Sequence, residues 1–331
     1  MSGGTVLVVP PLMHAEGPHT ALLRDAGFAV RRPPPGFSER EPDQLATIVG
    51  DADAVLAGTE LYTREILAAA PRLRAIVRFG AGYDAIDLNA ADERGIVVAT
   101  TPGSNHEAVA EHTLAMLLAL ARGFPRRDFM VRRSEPWRKI PMPRIAGSTL
   151  GILGLGRIAK AFVRRLAGLQ LGRILVHTPR PDHGFGAAHG IEFTTLDEVL
   201  RQSDFLSLHL PLTAETRGLI NGDALARMKK GAIIVNTARG GLIDEVALHA
   251  ALTEGHLAGA ALDVFAAEPP DADNPLLKLD NVLLSPHIGG LDDDSYRDLQ
   301  TKAAGIVIDL AAGRWPDGCV VNLRGVKDWR W

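Results

Sequence analysis

At 331 residues the chain exceeds an ordinary single domain, so two domains are expected. An apolar content of 46% with 23% charged residues suits a globular protein with sizeable buried cores. The formal net charge of -3 gives no basis for nucleic acid or an anionic membrane as a partner, and the single cysteine, Cys319, excludes an intrachain disulfide and cannot by itself build a zinc site.

The first residues carry no basic segment, and the apolar run at 6–9 is cut short by Pro10 and Pro11, so no signal peptide is expected. The most apolar helical stretch, 114–121, is far below the roughly 20 residues that span a bilayer. These features predict a soluble, cytoplasmic protein without a metal centre.

Short runs rich in Val, Ile and Ala alternate with helical stretches, the pattern of a parallel sheet covered on both faces. The first series predicts strands near 5–9, 54–56, 75–77 and 96–99, with helices near 20–26 and 64–70. A turn, Thr101-Pro102-Gly103-Ser104, then leads into a long helix over about 105–122. Residues 124–147, with Pro125, Pro136, Pro141 and Pro143, read as a loop-rich arm. A second series predicts strands at 149–153, 174–177, 205–208, 232–236, 260–263 and 282–284, before a closing helix over roughly 292–312. The two long helices mark the expected crossings between domains, and no internal repeat is present.

Gly154-x-Gly156-x-x-Ala159 follows the first strand of the second series directly and opens a helix at Arg157. In that setting Gly154 permits a tight turn, Gly156 lets a pyrophosphate approach the backbone, and Ala159 allows close helix–strand packing. Free N–H groups at the helix start attract the phosphates. An NAD enzyme places an acidic residue about 20 positions on, to bind the ribose hydroxyls. Here Thr178 stands in that place, and Arg180 follows two residues later. The lost carboxylate and the gained cation predict NADP(H) in preference to NAD(H), with Arg157 as a second positive charge. The competing reading is a solvated Arg180 in an enzyme that still takes NAD.

Asn236-Thr237-Ala238-Arg239-Gly240-Gly241 lies just past another strand, where doubly wound folds place ligands. Its glycines expose a guanidinium that can grip a carboxylate through two parallel hydrogen bonds. Glu268-Pro269 follows the strand at 260–263, and Ser285-Pro286-His287-Ile288-Gly289-Gly290 follows the strand at 282–284. A histidine between a strand end and a Gly-Gly pair, with a carboxylate nearby, is an acid/base candidate. The other ten histidines have no such setting and are expected to be structural or surface residues.

Taken together these stretches resemble the D-isomer-specific 2-hydroxyacid dehydrogenase family, which includes phosphoglycerate dehydrogenases and glyoxylate/hydroxypyruvate reductases. The anchors are Arg78-Phe-Gly80-Ala81-Gly82-Tyr83-Asp84, Ala110-Glu111-His112, the glycine turn with Arg157-Ile158, Asn236-Thr-Ala-Arg239-Gly-Gly, Asp263-Val-Phe-x-x-Glu268-Pro269, and Pro286-His287-Ile-Gly-Gly290. Departures are Ala159 for the third glycine and Thr178 for the acid.

The resemblance implies an α/β fold of two doubly wound parallel-sheet domains, a Rossmann cofactor domain (102–290) inserted into a flavodoxin-like substrate domain (1–101 and 291–331). It implies that Arg239 holds the substrate carboxylate and polarises the 2-oxo group, that His287 exchanges the proton, and that Glu268 orients His287. Amides of Ala81 and Gly82 would complete carboxylate binding. The cofactor would lie along Gly154, Gly156, Arg157, Ile158, Thr178 and Arg180. It would continue past Pro211, Thr237, Ala238 and Arg239 to Asp263, His287, Gly289 and Gly290, with Asp263 at the nicotinamide end.

The expected activity is an NAD(P)-dependent oxidoreductase acting on a small 2-oxo or 2-hydroxy acid such as glyoxylate or hydroxypyruvate. Alternatives on the same fold are a dehydrogenase of phosphite or formate, and a non-catalytic NAD(H)-sensing binding protein. Leu12, Met13 and His14, with 56–59 and 79–81, are the expected pocket for the substrate side chain. Helix 105–122 and the arm carrying Trp137 are expected to form a homodimer interface.

Overall fold

The computed structural model describes residues 4–38, 41–137, 139, 141–323, 326 and 329–331. Contacts divide the chain into two compact units, Met1–Asn105 with Asp292–Trp331, and His106–Leu291.

In the first unit β1 (Thr5–Val8), α1 (Pro18–Asp25), β2 (Ala29–Arg31), α2 (Pro42–Val49), β3 (Ala54–Ala57), α3 (Arg64–Ala68), β4 (Ala75–Arg78), α4 (Leu88–Glu93) and β5 (Val97–Ala99) follow in turn. The strands form a parallel sheet in the order β2-β1-β3-β4-β5. Alternate residues face opposite sides, so Leu7, Val55, Ile76 and Val98 join one core while Val6, Leu56, Val77 and Val97 join the other. Both faces are covered, which is why β3 and β4 are buried along their whole length.

The second unit runs α5 (His106–Ala121), α6 (Phe124–Arg132), β6 (Thr149–Leu153), α7 (Arg157–Arg165), β7 (Arg173–His177), α8 (His183–His189), β8 (Ile191–Phe193) and α9 (Leu196–Gln202). It continues through β9 (Phe205–Leu208), α10 (Gly222–Arg227), β10 (Ile233–Asn236), α11 (Glu245–Thr253), β11 (Gly259–Leu262) and β12 (Val282–Leu284). Its parallel sheet has the order β12-β11-β10-β9-β6-β7-β8. The order reverses between β6 and β9, the topological switch point beside which such sheets bind ligands. The chain then returns to the first unit through α12 (Asp293–Ala311), whose Ala303, Ile306 and Val307 pack beneath β1, β3 and β4.

Residues 124–147 differ from the loop-rich arm expected of them, because α6 occupies Phe124–Arg132. Pro125 lies in its first turn, where no intrahelical N–H is needed, so the proline marks a helix start. The edge strands β2 and β8 were also not expected: each is three residues long and neither contains a buried residue, so neither shows the apolar run of a central strand. Among the described residues no helix is long and apolar enough to cross a membrane, and no group of three or more His, Cys, Asp or Glu is placed to hold a metal ion.

Candidate active site

The glycine turn sits at the switch point of the second sheet. Gly154 has φ +90°, and a Cβ built on it would stand 2.6 Å from the carbonyl oxygen of His209, so only glycine fits where β6 and β9 end side by side. At Gly156, the N-cap of α7, a Cβ would meet nothing within 4 Å, leaving the backbone open to a ligand. The cap has no side chain to satisfy the first-turn amides, which remain available to an anion. Arg157 is exposed, Ile158 is half-buried, and Ala159 is buried against the sheet.

Past β7, Thr178 is half-buried and Arg180 is exposed. The next acid, Asp182, is already engaged: it receives Lys160 Nζ at 2.5 Å and caps α8 by accepting the Phe185 amide at 3.0 Å. The Lys160 contact, first among these, holds its carboxyl below the usual carboxylate range.

The loop after β10 is shaped by Asn236, whose Nδ2 donates to the Arg239 carbonyl at 2.8 Å and whose Oδ1 accepts the Ala238 amide at 3.0 Å. Arg239 is half-buried, and its Nη1 donates to the Ala238 carbonyl at 2.7 Å. Thr237 is buried and bonded to Thr113 of α5, Oγ1 to Oγ1 at 2.7 Å. Pro211, past β9, is exposed, and its carbonyl accepts the Thr216 hydroxyl at 2.7 Å.

Two further strand ends bring a carboxylate and an imidazole together. Glu268 Oε1 accepts the Phe265 amide at 3.0 Å, and its Oε2 lies 2.6 Å from His287 Nδ1. A carboxylate accepts only, so Nδ1 carries the proton and Nε2 is left to face a ligand. Both side chains remain partly open, 35% exposed for His287 and 25% for Glu268.

His287 has φ +53°, a conformation a non-glycine residue holds only under constraint. Asp263 supplies that constraint. Its carbonyl accepts the His287 amide at 2.8 Å, Oδ1 accepts Ile288 N at 3.0 Å and Oδ2 accepts Gly289 N at 2.9 Å. Burial pushes the Asp263 carboxyl up, but hydrogen bonds from His112, Ser285 and the amides of Gly289 and Ile288 outweigh it and hold it below the usual range. Gly289 is buried beneath this carboxylate and Gly290 is half-buried beyond it.

Two participants in this part of the site were left among the ordinary residues of their types by sequence reasoning. Ser285 Oγ donates to Asp263 Oδ1 at 2.5 Å, and His112 Nε2 lies 3.0 Å from Ser285 Oγ. Only the position of His112 inside the Ala110-Glu111-His112 motif set it apart in the sequence. Ala81 and Gly82 belong to the first unit, where Gly82 O accepts Arg78 Nε at 2.8 Å.

A sequence profile described as the NAD binding domain of D-isomer specific 2-hydroxyacid dehydrogenases matches residues 114–289. The chain is similar to D-3-phosphoglycerate dehydrogenase of Mycobacterium bovis, 42% identical over 287 residues that make up 86% of this chain and 53% of that protein. It therefore spans about half the length of those relatives. Glyoxylate reductase of Korarchaeum cryptofilum is 40% identical over 285 residues, covering 84% of this chain and 85% of that one. The crystal structure of the TT0316 protein from Thermus thermophilus superposes with a TM-score of 0.84 at 35% identity, over 96% of this chain and 100% of that chain. A profile match across more than half the chain and a relative matched along most of its own length agree with the two parallel sheets and the loops described above. The chain belongs to the D-isomer-specific 2-hydroxyacid dehydrogenase family.

Proposed function

We propose that the protein is an NAD(P)-dependent reductase and dehydrogenase of a small 2-oxo/2-hydroxy acid, with glyoxylate or hydroxypyruvate as the preferred class. The observation that carries this reading is the 2.6 Å bond between Glu268 Oε2 and His287 Nδ1, past the carboxyl ends of strands in the same parallel sheet as the glycine turn. The name of the Korarchaeum relative supports the substrate class.

The turn fits a dinucleotide: Gly156 is open and the first-turn amides of α7 are uncapped by any side chain. A bound nicotinamide supplies the hydride. In this reading His287 Nε2 gives a proton to the substrate oxygen during reduction and takes it back during oxidation. Glu268 holds the ring in one tautomer and stabilises the positive charge on it. Arg239 binds the carboxylate and stabilises negative charge as it develops on the reacting oxygen. The second unit would hold the cofactor, with Asp263 toward its nicotinamide end, and the amides of Ala81 and Gly82 would bind the substrate carboxylate.

NADP(H) is favoured over NAD(H). Arg157 at the start of α7 and Arg180 past β7 are both exposed, Thr178 carries no charge, and Asp182 is occupied by Lys160. A 2′-phosphate would meet two cations and no free carboxylate there.

A homodimer is proposed on the exposed apolar side chains of α6 and its sequel, Phe124, Phe129, Val131 and Trp137. Sedimentation of the purified chain tests it, and a monomer at micromolar concentration contradicts it. A cytoplasmic setting is proposed because Cys319 has no second cysteine in the chain to pair with.

The test of function is the rate of NADPH and NADH oxidation with glyoxylate and hydroxypyruvate. Turnover favouring NADPH supports the whole reading. Cofactor binding without turnover on either acid overturns it in favour of another oxyacid or a nucleotide sensor.

A further inference from the structure

Residue 112 lies on α5, away from the glycine turn and the Arg239 loop in sequence, yet its imidazole reaches the strand ends that carry the acid/base histidine. The direction of the bonds follows from chemistry. The Asp263 carboxylate only accepts, so at 2.5 Å the Ser285 hydroxyl must spend its one proton on Asp263 Oδ1. Ser285 Oγ then faces His112 Nε2 as an acceptor at 3.0 Å, and His112 must be the donor. The same Nε2 is 3.4 Å from Asp263 Oδ1, so one N–H serves the hydroxyl and the carboxylate together. The other neighbour of the hydroxyl is the Met116 sulfur at 3.8 Å, a weak partner that could not replace the imidazole.

The ring also limits the space beside the turn. A Cβ on Gly289 would stand 2.8 Å from Asp263 Oδ2 and 3.2 Å from His112 Cδ2. Gly289 is thus seated between the carboxylate and the imidazole, two residues beyond His287. The polar contact orients the carboxylate that accepts the amides of Ile288 and Gly289, and the ring occupies space that a side chain at 289 would need.

We propose that His112 is a positioning residue for the proton-transfer step: through the Ser285 hydroxyl and its own N–H it fixes the Asp263 carboxylate, and thereby the left-handed turn that aims His287. This rests on the acid/base role given to His287 under Proposed function. His112 itself touches neither substrate nor the reacting atoms in this scheme. Its effect reaches the chemistry through the angle at which His287 is presented, to which proton transfer is sensitive because small misplacements reduce rates steeply.

The experiment compares the full-length protein with His112→Ala, His112→Gln and Ser285→Ala, reading amide hydrogen exchange over 286–291 and steady-state reduction of glyoxylate and hydroxypyruvate. Gln keeps an N–H donor at comparable reach, and Ser285→Ala breaks the relay without altering α5. The Ala variants at both positions are expected to exchange the 288 and 289 amides about tenfold faster. They are also expected to lose roughly tenfold or more in kcat, with a smaller change in KM. His112→Gln is expected to stay within about threefold of the parent in both readouts. Unchanged exchange in His112→Ala, or unchanged kcat alongside an active parent, overturns the proposal. So does an equal loss in the Gln variant with a parallel fall in Tm, which marks a purely structural role. If the parent itself reduces neither acid, the functional reading fails and the exchange data alone decide whether His112 holds the turn.

Discussion

Gly240 and the backbone of Phe265 are in such close contact that a Cβ on Gly240 would stand 1.9 Å from the Phe265 carbonyl carbon. The relationship joins two loops with different chemistry. Gly240 follows Arg239, and Phe265 donates the amide that holds Glu268 Oε1. The spacing of the cation and the carboxylate therefore depends on one missing methyl group. Gly240→Ala is expected to force the loops apart, with a loss of about 3 kcal/mol of stability, at the upper end for overpacking. Urea unfolding checks it, and a midpoint equal to the parent's would show that the loops are free to separate.

His287→Ala should lower turnover by roughly 10²–10⁴-fold, the usual contribution of a positioned acid/base group, while dinucleotide binding persists. Glu268→Ala should lower kcat by a smaller factor, because the ring is still present but loses the bond at 2.6 Å that sets its tautomer. Single-turnover rates and cofactor fluorescence separate the two effects. Near-normal turnover in His287→Ala would remove that residue from the mechanism.

Cofactor choice should respond to two side chains past β7. Arg180→Ala combined with Thr178→Asp is expected to lower the ratio of kcat/KM for NADPH over NADH by about a hundredfold. The new carboxylate repels a 2′-phosphate and accepts the ribose hydroxyls. An unchanged ratio would place the discriminating contact elsewhere.

His209 predicts a pH dependence of stability. Its imidazole lies 5.5 Å from the Phe162 ring, and burial pushes it down from the ordinary 6.5 to about 4. The folded protein thus holds the ring neutral, whereas the unfolded chain takes up a proton near the ordinary value. The stabilising contribution is complete above that value and is lost as pH falls toward about 4, because the unfolded state then binds the extra proton. Urea midpoints at about pH 7.5 and about pH 5 should differ more for the parent than for His209→Asn. Equal differences would show that other groups control the acid limb.

Much of the site was readable from local patterns because each part is a short segment at the carboxyl end of a strand. The glycine turn, the Asn236–Gly241 loop and the Ser285–Gly290 segment declare themselves through glycines, a charge or a histidine set against apolar runs. The edge strands β2 and β8 were not readable, since an edge strand needs no continuous apolar run. α6 was misread because a proline in the first turn of a helix resembles a proline in a loop.

The sequence by itself determined the two α/β series, the place of the glycine turn and the residue types able to bind a carboxylate and move a proton. Those follow from periodicity and from chemistry carried by single residues. Only the tertiary structure decided which groups act on one another. The Glu268–His287 bond, the triple grip of Asp263 on residues 287–289 and the His112–Ser285 relay join segments separated by 19 to 173 positions. Such pairings depend on strand order and helix packing, which bring distant positions within hydrogen-bonding distance and leave no periodic trace in the chain.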